Sequence, residues 1–294
     1  MSNITAAMVK ELRELTGAGM MECKNALTET EGVIDKAVDF LRTRGLASLA
    51  KKAGRATNEG AIAAFITPDS KTGALVELNC ETDFVATNAV FTEFVSDLSE
   101  IIATGNPADN DALMALPYKE SGLSVNDQLG EIVGRLGENM SIARFERIEL
   151  GTTGAIASYI HSNGKIGIMV VFSLNSQATA DNADFKTYAR DVAMQVAAAS
   201  PIAVSRDDFD PKLVAHELEI YKAQAAESGK PEQIQEKMAE GRLQKFFKEQ
   251  ALVEQAFVKD PDISINDLTA RVSKEVGDEI TIDRFERYNL GESC

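Results

Sequence analysis

At 294 residues, with 44% hydrophobic and 26% charged side chains, the chain has the composition of a soluble globular protein long enough for two or more cores. Its formal net charge of −16 argues against a nucleic-acid binder that works through its own basic surface. The longest strongly apolar run, 166–174, is too short to span a bilayer, so no membrane contact is expected.

Ile4, Met8, Leu12 and Leu15 recur at helical spacing and predict a first helix, broken by Gly-Ala-Gly at 17–19. The stretch 20–29 predicts a second short helix. Val33, Ala37, Phe40 and Leu41 predict a third, expected to end near Gly45. Three such helices make a compact bundle of the ubiquitin-associated type, and 49–60 reads as a polar, glycine-punctuated linker. The first fifteen residues are amphipathic rather than basic-then-apolar, so no signal peptide is expected. Cys23, Cys80 and Cys294 form no CxxC pair, which points to a reducing cytoplasm; Cys23 and Cys80 read as small buried hydrophobes.

Next come a strand over 61–66, a turn at 68–73 and a strand over 74–80, a hairpin pattern. From Asn88, a candidate N-cap, the period turns helical through Phe91, Phe94, Val95, Leu98, Ile101 and Ile102. Gly105 and Pro107 close that helix. A further helix near 125–136 precedes a strand over 141–150. The pattern then recurs: strand 155–160, turn 161–165, strand 166–174, helix 185–198.

The recurrence is literal. Residues 60–107 align with 154–201 at a constant offset of 154 − 60 = 94, with 15 identities in 48 pairs. Residues 137–151 align with 277–291 at an offset of 140, with 8 identities in 15, including Arg-Phe-Glu-Arg at 144–147 and 284–287. The second copy therefore carries an insertion of 140 − 94 = 46 residues between Pro201 and Gly277. Two copies of this length imply paired subdomains rather than a solenoid. Within the insertion, Val214, Leu218, Tyr221 and Ala225 lie on a heptad seam, Gly229 and Pro231 mark a break, and Ile234, Met238, Leu243, Phe246 and Phe247 form a second helix. An antiparallel coiled-coil hairpin is expected there.

The predicted fold is thus α+β: an N-terminal three-helix module with its linker (1–55), a first α+β subdomain of antiparallel sheet packed with helices (56–151), and a duplicate of it (152–204 plus 251–294). An inserted helical hairpin (205–250) interrupts the second copy.

No GxxxxGK[ST] or GxGxxG cradles a phosphate, His216 lacks the second histidine of a zinc-protease helix, and no Ser/His/Asp signal is present. With two histidines and no cysteine cluster, neither a metal nor a cofactor is expected, and the chain does not read as an enzyme. What remains is Thr82, Asp83, Phe84 and Val85, between a strand end and a helix start. Such a run ordinarily caps a turn and tucks into the core. The second copy closes the same connection with Ser176, Gln177, Ala178 and Thr179, so the fold does not require Asp-Phe there. An aromatic added to a loop on rigid elements fits an interface anchor.

Several segments resemble bacterial elongation factor Ts. They are Gly-Met-Met-Glu-Cys-Lys-Asn-Ala-Leu at 19–27, Asn-Cys-Glu-Thr-Asp-Phe-Val-Ala at 79–86, Gly-Glu-Asn at 137–139, Tyr-Ile-His at 159–161 with Lys-Ile-Gly at 165–167, and Gly-Lys-Pro at 229–231 with Glu-Gly-Arg-Leu at 240–243. The order and the near-complete coverage make the resemblance specific; Ala256, where proline is expected, departs from it.

The resemblance implies a guanine-nucleotide exchange factor for the GDP-bound form of elongation factor Tu, a translational GTPase, acting in the cytoplasm. It implies that 82–85 disturb the partner's magnesium site, with Phe84 wedged between partner side chains and Asp83 holding a partner helix. Leu136 and Gly137 match a segment that approaches the partner's phosphate loop. His161 matches a residue facing the partner, although its Ser-Asn-Gly neighbours equally suit a solvated turn. Met20 and Met21 match the amino-terminal contact surface, although Met20 equally suits a three-helix core. Homodimerisation through the hairpin stays open. The alternative class, a ribosome- or RNA-associated binding protein, calls for a basic stripe, and the chain offers only the short Lys51, Lys52, Arg55 group.

Overall fold

The computed structural model describes residues 4–292; Cys294 lies outside the described residues. It is a mixed helix and sheet structure. Helices α1 (Ala6–Thr16), α2 (Met20–Glu29) and α3 (Ile34–Lys52) come first, then strands β1 (Glu59–Ile66) and β2 (Thr72–Cys80). One turn of helix, α4 (Asp83–Ala86), leads into α5 (Ala89–Gly105), α6 (Asn110–Ala115), α7 (Val125–Leu136) and β3 (Met140–Glu149). Strands β4 (Gly154–His161) and β5 (Ile166–Leu174) and helix α8 (Ala183–Ala199) follow. The chain then runs through α9 (Pro211–Ala226), α10 (Glu232–Gln250), β6 (Ala256–Phe257), β7 (Asp260–Ser264), α11 (Ile265–Val276) and β8 (Ile280–Asn289).

Leu12, Cys23, Ala26, Leu27 and Ala37 make the small core of α1 to α3. The expectation that the third helix ends near Gly45 is wrong, and the linker expected at 49–60 shrinks to 53–58. The helix continues to Lys52, Leu49 packs on the core of the first sheet, and Glu59 already belongs to β1. The glycine serves a crossing instead of a stop. A Cβ built on Gly45 would lie 2.8 Å from the Gly130 carbonyl oxygen of α7, so the two helices meet backbone to backbone. Arg42 pairs with Asp127 beside the crossing, and the Lys52 ammonium donates to the Val133 carbonyl at 3.4 Å.

Strands β1, β2 and β3 form one antiparallel sheet in that order; β4, β5 and β8 form another. Each bulges once, between Glu77 and Leu78 and between Val171 and Phe172, positions again 171 − 77 = 94 apart. One face of each sheet packs on its own helix. Ala74, Val76 and Leu78 meet Phe91, Phe94 and Leu98; Ile168, Val170 and Phe172 meet Phe185, Tyr188 and Val192. The sequence predicted sheets against helices only. The other faces pack on each other, through Ile62, Leu75 and Ile148 from one side and Ile156, Met169, Val171 and Tyr288 from the other.

This seam is close to two-fold symmetric. A Cβ on Gly73 would meet Met169 Sδ at 2.8 Å and Ile156 Cγ2 at 3.1 Å; a Cβ on Gly167 would meet Ile62 Cγ2 at 2.4 Å and Leu75 Cδ1 at 2.9 Å. Each sheet leaves a side chain out where the other's aliphatic chains press in. One element breaks the symmetry. Glu77, 1% exposed, accepts from Arg144 Nε at 2.8 Å and from the Gly291 amide at 3.1 Å, and the Arg144 guanidinium lies over the Tyr288 ring at 4.1 Å. The position matching Glu77 in the second copy is Val171.

Helices α9 and α10 lie against each other, joined by a short turn. Along the seam Val214, Leu218 and Tyr221 are half-buried and Ala225 is fully buried. At the base, Phe209, Phe246 and Phe247 stack in a triangle with centroids 5.4–5.8 Å apart. Buried Gln195 and Gln255 tie the base to the second sheet's helices, with the Gln195 amide donating to Gln255 Oε1 at 3.1 Å and accepting from the Val258 amide at 2.8 Å.

Candidate partner interface

The 82–85 segment is a single helical turn rather than an open loop. Thr82 leaves β2 extended and caps the turn, its hydroxyl accepting the Val85 amide at 3.4 Å. Thr87 closes it, its hydroxyl donating to the Asp83 carbonyl at 3.0 Å. The geometry separates the four expected contact residues. Asp83 and Phe84 point to solvent, and Phe84 is 83% exposed, the largest exposure among the described large hydrophobics. Val85 is 8% exposed and belongs to the core of the first sheet. It anchors the turn and presents no contact surface. The second copy has the same division: Thr179 is buried and Ala178 is exposed. The two exposed positions differ by an aromatic ring, Phe84 against Ala178.

The turn is held from below. Glu138 Oε2 accepts the Thr82 amide at 3.0 Å and Oε1 accepts the Thr82 hydroxyl at 2.6 Å. Glu81 Oε1 accepts the Asn139 amide at 2.6 Å, which holds the Glu81 carboxyl below the usual carboxylate range, with Arg55 helping. Buried Cys80 donates its thiol to the Thr82 carbonyl at 3.2 Å, and burial with Glu138 nearby pushes that thiol up to about 12. The sequence singled out none of Glu81, Glu138 or Asn139 as functional. Glu138 and Asn139 lie in the Gly-Glu-Asn run at 137–139, whose counterpart Gly-Asp-Glu at 277–279 keeps the glycine and an acid after it; Glu81 has no such counterpart, since Asn175 stands at the matching place.

Gly137 caps α7 in the left-handed conformation at φ 82° and is exposed; Leu136 is half-buried on the first core. Through Glu138 they adjoin the Phe84 turn. His161 ends β4, exposed, its Nδ1 within 2.9 Å of the Tyr159 hydroxyl. Asn163 and Ile160 beside it face Ala86 and Thr87 across one open groove, which brings the second sheet's turn to the edge of the Phe84 turn. Met20 and Met21 are 60% and 65% exposed on α2, so Met20 is not core. Leu15, near the end of α1, is exposed as well. Glu22 of the same helix and Gly137 line one cleft between these helices and α7.

An exposed aromatic on a braced turn, with apolar side chains on a second exposed surface, is the equipment of a protein-binding factor. The chain's relatives are translation elongation factors. It is 48% identical over 291 residues to elongation factor Ts of Nitratidesulfovibrio vulgaris strain DP4, covering 99% of this chain and 97% of that one. It is 44% identical to those of Clostridium novyi strain NT, covering 98% and 93%, and of Lawsonia intracellularis, covering 99% of both. The family model described as "Elongation factor TS" matches residues 81–292. The chain belongs to the elongation factor Ts family.

Proposed function

We propose that this protein is a guanine-nucleotide exchange factor for elongation factor Tu and works without covalent chemistry of its own. The observation that carries the reading is Phe84: a large apolar side chain held in solvent on a braced turn, where the duplicate of the same turn has alanine. A translational GTPase retains GDP through backbone amides, a lysine and a magnesium ion bridged to phosphate. A wedge that displaces the residues around that metal removes charge-assisted contacts and raises the off-rate of GDP, and the factor need not touch the nucleotide. Linkage makes the effect reciprocal, so incoming nucleotide weakens the factor by the same ratio and releases it.

In this reading Phe84 wedges, Asp83 holds a partner helix, and Thr82 and Val85 fix the turn. Leu136 and Gly137 approach the phosphate loop, while His161, Met20 and Met21 supply contacts from the second subdomain and the amino-terminal helices. The protein acts in the cytoplasm, and the α9–α10 hairpin meets either the partner or a second copy. Among the described residues no helix is long and apolar enough to cross a membrane.

The test is release of fluorescent GDP from elongation factor Tu with wild type, Asp83→Ala and Phe84→Ala. Both side chains are exposed, so both variants should stay folded. Acceleration by wild type that is lost in the variants supports the reading. Acceleration that survives both moves the site toward Leu136 and Gly137. A folded wild type that does not accelerate release, and instead binds RNA with steep salt dependence, returns the chain to the RNA-associated alternative.

A further inference from the structure

The Phe84 turn has only four residues and cannot hold its shape alone, because so short a helix does not repay its nucleation cost. It is held by Val85 and Ala86 in the first core and by carboxylates beneath it. Glu138 takes both the amide and the hydroxyl of Thr82, while Glu81 takes the amide of Asn139, so segments 81–82 and 138–139 exchange hydrogen bonds crosswise. Asn139 is 3% exposed and donates its side-chain amide to the Arg55 carbonyl at 2.9 Å. The Arg55 guanidinium returns to Glu81 at 3.3 Å. One node thus joins three things: the aromatic turn, the end of α7 that carries Leu136 and Gly137, and the chain leaving α3.

From this juxtaposition we infer that Glu138 is a positioning residue for nucleotide exchange, holding the Phe84 turn against α7 so that the two surfaces press on the partner as one rigid body. The inference rests on the exchange function proposed above. A wedge displaces its target only if it yields less than the target does. A turn free to rock would still bind through Phe84 while transmitting little of that binding free energy to the partner's metal site.

The duplication supplies an internal control. Asp278, at 138 + 140, accepts the Asn175 amide at 3.2 Å, the Ser176 amide at 3.0 Å and the Thr179 hydroxyl at 2.6 Å. The amide contact at Ser176 repeats that at Thr82, while the hydroxyl comes from Thr179, the position matching Val85; a carboxylate thus also lies beneath the turn that carries Ala178. A carboxylate clamp belongs to the fold in both copies, and only in the first does it lie under an aromatic.

The experiment measures GDP release from elongation factor Tu as a function of factor concentration, with wild type, Glu138→Ala, Glu138→Gln and Asp278→Ala. Amide hydrogen exchange at Thr82 and Val85 is followed in each. Glu138→Ala should lower the maximal rate about tenfold, the scale of one charge-assisted hydrogen bond, and raise amide exchange of the turn by a similar factor. Its half-saturating concentration should move less than about threefold, since the remaining contact surfaces are intact. Glu138→Gln keeps one acceptor for the Thr82 hydroxyl and should recover much of the rate. Asp278→Ala should keep the wild-type maximal rate. An undiminished maximal rate in Glu138→Ala overturns the inference, as does an equal loss in Asp278→Ala, which would mark a merely structural clamp. If wild type itself does not accelerate release, the exchange function fails and the inference falls with it. Faster amide exchange in Glu138→Ala would then identify the function, not the clamp, as the faulty premise.

Discussion

Replacing Gly45 with alanine sets two effects of known sign against each other. In an isolated helix the change stabilises by about 1 kcal/mol, because glycine loses more backbone freedom than alanine. Here the new methyl would lie 2.8 Å from the Gly130 carbonyl oxygen and 3.0 Å from its carbon. Those atoms are helix backbone and cannot rotate away, so α3 and α7 must separate, and overpacking of this kind costs about 1–3 kcal/mol. The net expectation is a loss of about 1 kcal/mol in the docking of α1 to α3, about fivefold in the docking equilibrium. Gly134→Ala is the matched control. Its methyl would meet only the Gly45 Cα, at 3.6 Å, an ordinary contact, so the propensity gain should survive. Amide protection of α3 in a urea series reads both variants. Gly45→Ala with protection equal to or above wild type would refute the close-crossing argument.

Three further outcomes are expected. Val85→Ala should cost about 2 kcal/mol in chemical denaturation, two methylene equivalents plus a small cavity, whereas exposed Phe84→Ala should change stability by less than about 0.5 kcal/mol; a reversed order would mean the turn is packed the other way round. Glu81, held low chiefly by the Asn139 amide, and Asp278, held low chiefly by the Thr179 hydroxyl, both have folded pKa values below their unfolded ones. Their contribution is therefore present above the ordinary carboxylate range and disappears as pH falls through the depressed values, so urea midpoints should drop in acid and drop less in Glu81→Gln and Asp278→Asn. Cys23 and Cys80 are fully buried with pKa values raised by desolvation, so at neutral pH neither should be alkylated in the folded chain and both should be in urea, as peptide mass mapping will show.

Much of this was legible from the residues because periodicity and capping are local. The stretches expected to be helical at 20–29 and 125–136 are the bounds of α2 and α7, and the Asn88 cap was visible three residues ahead of Phe91. The repeat offset of 94 reappears as the spacing between the two sheet bulges. What was not legible depends on long-range partners. Gly45 looks like a helix stop until Gly130 is seen across from it. Val85 sits beside Phe84 in a motif, and nothing local says that one faces inward and the other outward. Glu138 and Thr82 are 56 residues apart, so their bond has no sequence period to betray it. The second face of each sheet did leave a sign, the near-continuous apolar run at 166–174 that suits a strand covered on both sides, but nothing in it says that the covering layer is the other sheet.

The near-symmetric seam between the sheets has a consequence for change over time. Were the two units separate identical chains, any substitution at their interface would occur twice, and an acid introduced at position 77 would bury two carboxylates. Within one chain each side mutates alone. Glu77 with Arg144 on one side, and Val171 at the matching place on the other, is a combination open only to joined copies. The same independence allows one turn to carry a phenylalanine where its twin has a methyl group. Covalent linkage leaves the two sides of the seam free to differ, which a two-fold pair of identical chains is not.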